Sequence, residues 1–280
     1  MELTHYTEAG AFHTRAVSFL LRHEAHHNLI LGLSAGLIEQ PERPEHPPYL
    51  ATVQDGSEAI AAALMTPPNH LVLSLAPPEV VALIARDLHE QRLAVPSVLG
   101  PTDASRAFAQ AWQDLTGRPY RRGMAQRVYQ LDAVTPVPGV PGALRPATLA
   151  DRDLLVEWLV AFQEEAMGNA DRDQIERSIE ARLNSQSRGL YLWHDDRPVS
   201  MAGYSGPTPN GIRIGAVYTP PEHRRRGYAS ACVAALSQHL LDSGWKHCYL
   251  FTDLSNPTSN RIYQSIGYRP VCDFHEYRFA

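Results

Sequence analysis

Between Tyr49 and Ser74 the apolar positions fall into three short runs, separated by Asp55-Gly56 and by Pro68-Asn69. Runs of this length broken by turn-forming pairs predict a strand meander. The same order recurs at 190–219, where Asp196 and Asn210 lie 141 positions beyond Asp55 and Asn69. Each meander leads into a segment whose apolar positions recur at three and four residues, predicting helices over 75–91 and after Gly227; the second has the buried stripe Ala229, Cys232, Val233, Leu236 and Leu240. A further helical stripe, Ala104, Phe108, Ala111, Trp112 and Leu115, occupies 100–117. Each half closes on a turn and a terminal strand, 117–131 and 267–279. Each therefore runs helices, meander, helix, strand, helix, strand, as a tandem duplication would. Between them DAVTPVPGVPGA, with three prolines and two glycines, has neither period and reads as a linker. The expected domains are 1–131 and 143–280, joined by 132–142. A second proline cluster, 40–49, reads as a surface loop before a strand.

Composition narrows the class. With 280 residues, 44% hydrophobic and 20% charged, the chain can bury a core. A net charge of −5 gives no general reason to bind nucleic acid and modestly favours cationic small molecules. No apolar run approaches the roughly 20 residues of a membrane span. The N-terminal sequence shows no secretory pattern, and Cys232, Cys248 and Cys272 lack CxxC spacing, so a cytoplasmic protein without a zinc ribbon is expected. HEAHH at 23–27 has the spacing of a zinc-binding helix. No third ligand motif follows, and no metal is expected.

The chemistry concentrates in RRRGYAS, 224–230, between the apolar strand 213–219 and a helix. A helix N-terminus offers unpaired N–H groups and the positive end of a dipole, hence an anion site. Gly227 lets the backbone come close to that anion, and Arg224, Arg225 and Arg226 add forked donors. The first half has no such run.

Arg224-x-x-Gly227-x-Ala229, preceded by Pro220-Pro221, resembles motif A of the GNAT superfamily of N-acetyltransferases. SNRIYQSIGY at 259–268, with Asn256 and Pro257 opening its helix, resembles the second family signature. The resemblance is strong over 143–280 and covers 1–131 only in outline. It implies an α+β, three-layer α/β/α fold: two tandem GNAT-like domains with mixed central sheets, the first degenerate and without the cofactor motif. The parallel strands 211–219 and 247–253 would splay to admit acetyl-CoA as cosubstrate. Pantetheine would run along Val217, Tyr218 and Thr219, and the amides of Arg225, Arg226, Gly227, Tyr228, Ala229 and Ser230 would hold the pyrophosphate; Asn256 belongs to the same site. Tyr263 occupies the general-acid position. For the base, Glu165 ends a helical stripe with Trp158 and Phe162, while Asp253, His194 or water are alternatives. The expected partners are acetyl-CoA and an amine acceptor, with no nucleic acid or membrane, in a monomer with an internal pseudo-dimer or a homodimer. A non-catalytic acyl-CoA sensor and a longer acyl donor are the competing readings.

Overall fold

A computed structural model describes residues 1–39 and 46–280; the first part of the 40–49 loop reading lies outside the described residues. The chain forms two compact units, Met1–Tyr129 with Phe251–Pro257 and Pro270–Ala280, and Gln130–Leu250 with Thr258–Arg269.

The first unit runs β1 (Glu2–His5), α1 (Ala9–Leu20), α2 (Glu24–Glu39), β2 (Tyr49–Asp55), β3 (Glu58–Met65), β4 (Leu71–Leu73), α3 (Pro78–Glu90), β5 (Ser97–Pro101), α4 (Thr102–Thr116) and most of β6 (Tyr120–Leu131). Its helices cover both sheet faces: α1 and α2 through Phe12, Leu20, Ile30 and Leu31, α3 and α4 through Val81, Ile84, Phe108 and Trp112. Three layers result. β4 and β5 pair in parallel; beyond β5 comes a strand from the far end of the sequence. That strand is β12 (Arg269–Phe279), antiparallel to β5 from Phe274↔Pro101 to Arg278↔Ser97, with β6 on its other side. A bidentate pair, Arg127 to Asp273 at 2.7 and 2.9 Å, ties β6 to β12. The chain's last strand thus completes the first unit, although the sequence places it in the second half.

The second unit contains β7 (Ala143–Pro146), α5 (Arg152–Met167), α6 (Arg172–Leu183), β8 (Gly189–Asp195), β9 (Arg197–Ser205), β10 (Gly211–Tyr218), α7 (Tyr228–Asp242), the start of β11 (His247–Asp253) and most of α8 (Pro257–Ile266). α5 and α6 bury Leu155, Trp158, Ile175 and Ile179 against Leu190, Leu192, Met201 and Tyr218. α7 packs on β8, β9 and β10. The predicted repeat is visible in detail: the β2–β3 hairpin shifts register at Val53/Gln54 and the β8–β9 hairpin at Trp193/His194, within one residue of the 141-residue offset.

The proline-rich segment is anchored along its length. Asp132 accepts from Gln130 and bonds His247 at 2.8 Å, Thr135 N donates to Ile266 O at 2.7 Å, and Trp193 Nε1 donates to Pro141 O at 2.8 Å. It is part of the second unit and not a free tether. The zinc-like HEAHH pattern straddles a break, because His23 ends a single 3-10 turn and α2 starts at Glu24. His27 Nδ1 donates to Leu20 O at 2.8 Å and Nε2 accepts from Leu75 N at 3.1 Å. Burial drives this imidazole down to about 4, so it is neutral and both nitrogens are spent on the backbone.

Entry into α5 rests on one carboxylate. Asp151 accepts two bonds from Arg145, at 2.7 and 2.8 Å, and closes a capping box with Thr148. The Arg145 guanidinium, with the Thr148 amide and hydroxyl, lowers its pKa to about 2 against the opposing effect of burial. A depressed carboxylate stabilises the fold above its unfolded value and loses that contribution as pH falls through the folded one. Asp151→Ala should therefore cost about 1–2 kcal/mol at pH 7, a deficit that denaturant titrations should find shrinking between about pH 4 and pH 2.

Candidate functional site

β10 and β11 pair in parallel from Gly211↔His247 to Ile214↔Leu250. There the ladder stops, four residues before β10 ends at Tyr218. On its other edge β10 bulges, passing from Gly215↔Gly203 to Tyr218↔Met201, with Ala216 at φ +50°. The end of the strand is consequently unladdered on one edge and irregular on the other around Ala216 and Val217. Unladdered strand backbone is a template for another extended chain.

The three positions expected to meet pantetheine are not equivalent. Tyr218 O accepts from the buried Ser200 hydroxyl at 3.1 Å, and that hydroxyl also meets Thr219 Oγ1 at 2.8 Å. Thr219 O accepts from Arg224 Nε at 2.8 Å. Val217 alone of the three has neither kind of side-chain clasp.

After Pro220 the chain makes one short turn and enters α7. Arg225 and Gly227 both have left-handed backbones, φ +63° and +83°. Alternation of this kind curls successive N–H groups into a concave anion nest. Gly227 is the N-cap of α7, and among the described residues no side chain caps the helix, which leaves its first-turn amides without a side-chain acceptor there. A Cβ at Gly227 would lie 2.9 Å from the Val140 methyl, so glycine is required both by φ and by space.

The arginines divide their work. Arg224 Nη2 donates to both Glu165 oxygens, at 2.7 and 2.8 Å, while its guanidinium lies 5.7 Å from the Tyr218 ring centroid. Arg225 and Arg226 are the exposed pair left at the mouth. Tyr228 turns its ring into the protein and donates to Asp195 Oδ2 at 2.5 Å, so only its amide can serve an anion. His223, buried one residue before Arg224, stands edge-on to that ring with Nδ1 unpartnered.

Tyr263, on α8, is 8% exposed, and burial pushes its phenol up to about 12. It meets Tyr268 edge-to-face at 6.0 Å, and Tyr268 OH is fixed by Ser237 Oγ at 2.8 Å. Asp253 Oδ1 accepts from Ser255 N at 2.7 Å, shaping the turn that carries Asn256 into α8. The sequence pointed to Glu165 as a base; the structure places both its oxygens on Arg224. Ser200, Val140 and Asp195 support the site without any sequence signal beyond their position near its strands.

Residues 152–268 match the family model described as the acetyltransferase (GNAT) family. Among solved structures, a GCN5-related N-acetyltransferase from Sphaerobacter thermophilus is similar over 99% of this chain and 95% of its own, with TM-score 0.62 and 18% identity. A tandem GNAT protein from the clavulanic acid biosynthesis pathway is similar over 100% of this chain and 98% of its own, with TM-score 0.59 and 14% identity. A GNAT-family acetyltransferase from Colwellia psychrerythraea is similar over the full length of both chains, with TM-score 0.57 and 12% identity. A search of curated proteins gave no match. These likenesses concern the fold, whereas the family match falls on the elements that bear the glycine turn and Tyr263; residues 152–268 are a domain of the GNAT acetyltransferase family.

Proposed function

We propose that the protein is an acetyl-CoA-dependent N-acetyltransferase acting on an amine of a small molecule or peptide. The observation that carries this reading is the uncapped start of α7 behind two left-handed residues, with two exposed arginines beside it. That arrangement suits a diphosphate held mainly by main-chain nitrogens.

Pantetheine would lie along the unladdered end of β10, Val217 offering the extended backbone contact. The amine nitrogen attacks the thioester carbonyl carbon, a strand amide near Val217 steadies the developing oxyanion, and the C–S bond breaks. Tyr263 gives its phenolic proton to the departing sulfur, and the ammonium proton lost as the amide forms returns through water to the phenol oxygen. Glu165 positions Arg224, and through it the Thr219 carbonyl, rather than acting as base.

Calorimetry with coenzyme A and thiol release from acetyl-CoA across an amine panel test this reading. Saturable binding with amine-stimulated release is expected. Binding with no release for any amine would make the protein an acyl-CoA sensor, and no binding would end the proposal. Ser200→Ala should raise KM for acetyl-CoA several-fold, because it frees the Tyr218 carbonyl and Thr219 hydroxyl that hold the strand end along which pantetheine would lie.

A further inference from the structure

In the first unit a cavity of about 580 Å³ opens where the chain leaves β4 and β5. Open sheets take ligands at this position, outside the carboxyl ends of parallel strands. Here the strands do not part: a Cβ at Gly100 would sit 3.1 Å from that of Leu73. The cavity therefore lies beyond the strands and suits a compact molecule rather than an extended chain between them.

Its polar character is one-sided. Pro77 and Pro101 in the wall have no N–H. The Thr102 hydroxyl is already donated to Asp273 O at 3.1 Å. Burial, helped by neighbouring His23, holds His26 below the usual imidazole value, so it presents a lone pair at neutral pH. Burial likewise raises the Cys272 thiol to about 12 and keeps it uncharged. Two carboxylates complete the wall. Asp273 receives Arg127 and Asp103 receives Arg106 at 2.8 Å, yet neither arginine lines the cavity, and each carboxylate has lone pairs to spare. α4 also begins here without a side-chain cap, which alone would favour an anion, but Asp103 in its first turn already supplies the negative charge. His23 stands edge-on to His26 at the rim, its ring centroid 5.6 Å away, and Phe19, Leu75, Ala76 and Ala104 supply the apolar wall.

We propose that this cavity is a binding site for a small primary ammonium ligand with an apolar body, its N–H donors taken by Asp103, Asp273 and His26 and its carbon skeleton by Phe19 and Leu75. The site stands apart from the acyl-transfer reading and would hold without it.

Benzylamine and benzoate, alike in shape and opposite in charge, are the probes. Titrations of the full chain would be followed by calorimetry and by histidine ring NMR, with signals assigned from His23→Gln and His26→Gln. Benzylamine should bind at least tenfold tighter than benzoate and shift the His26 ring signals. Ala76→Trp, which fills the cavity, should abolish those shifts, and His26→Leu should weaken binding several-fold, each checked for folding by circular dichroism. Equal or tighter benzoate binding, benzylamine binding that leaves the His26 ring unmoved, or Ala76→Trp and His26→Leu proteins that bind benzylamine as the wild type does would each overturn the proposal.

Discussion

Gly227→Glu should weaken coenzyme A binding at least 100-fold, to the limit of calorimetric detection. Three effects act in the same direction. At φ +83° a side chain pays a left-handed backbone penalty of about 1–2 kcal/mol. Its Cβ would meet the Val140 methyl at 2.9 Å, and Val140 is held by an anchored segment whose next residue accepts from Trp193. Relief of that contact tilts the amides of Tyr228, Ala229 and Ser230 away from a common focus. The carboxylate then brings a negative charge beside the diphosphate, and the two like charges repel. Gly227→Ala separates these contributions: it keeps the strain and the clash but not the charge, and should cost roughly tenfold. A Gly227→Glu protein that retains its thermal midpoint and binds coenzyme A as the wild type does would remove the pyrophosphate from this turn, and with it the acyl-transfer reading.

The turn was readable because its requirements are local. A glycine that must be left-handed, a proline pair before it and a helical stripe after it are all written between Pro220 and Leu240. The 141-residue repeat was legible for the same reason, since hairpins are set by turn chemistry between adjacent strands. The place of β12 was not. β6 and β12 each follow a turn after a helix, and a strand pattern does not specify which neighbour supplies the ladder. Glu276 illustrates the point. A carboxylate in a terminal strand, it is buried, accepting from Met124 N at 3.0 Å and Arg278 Nε at 2.6 Å. Nor could the bulge in β10 be foreseen, because its left-handed residue is Ala216, for which sequence gives no warning. For Glu165 the helix spacing gave its place on the face with Trp158 and Phe162, but it carried no sign of the partner Arg224, which lies 59 residues away.

Tyr263→Phe should lower kcat about 100-fold or more while leaving coenzyme A affinity and the thermal midpoint nearly unchanged. Among the described residues no protein group hydrogen-bonds the phenol, so its loss leaves no donor or acceptor stranded, and the ring keeps its edge-to-face contact with Tyr268. A structural role alone would therefore predict little change of any kind. Burial raises the phenol to about 12, which keeps it protonated across the working range. Against a thiol of ordinary acidity, near 8.5, such a phenol would be a poor acid. The thiolate leaving beside it is desolvated by the same surroundings, however, and an anion deprived of water becomes a stronger base at the moment the proton is needed. Two readouts distinguish this from a packing effect. Acyl donors whose thiol is more acidic need less protonation, so the defect of Tyr263→Phe should shrink with leaving-group pKa while the wild type shows a flatter dependence. The wild-type kcat profile should also show no alkaline decline from this group below about pH 11, since a raised phenol loses its proton only on approach to its folded pKa. Full turnover in Tyr263→Phe would reduce the tyrosine to a core residue of α8 and pass the proton to water.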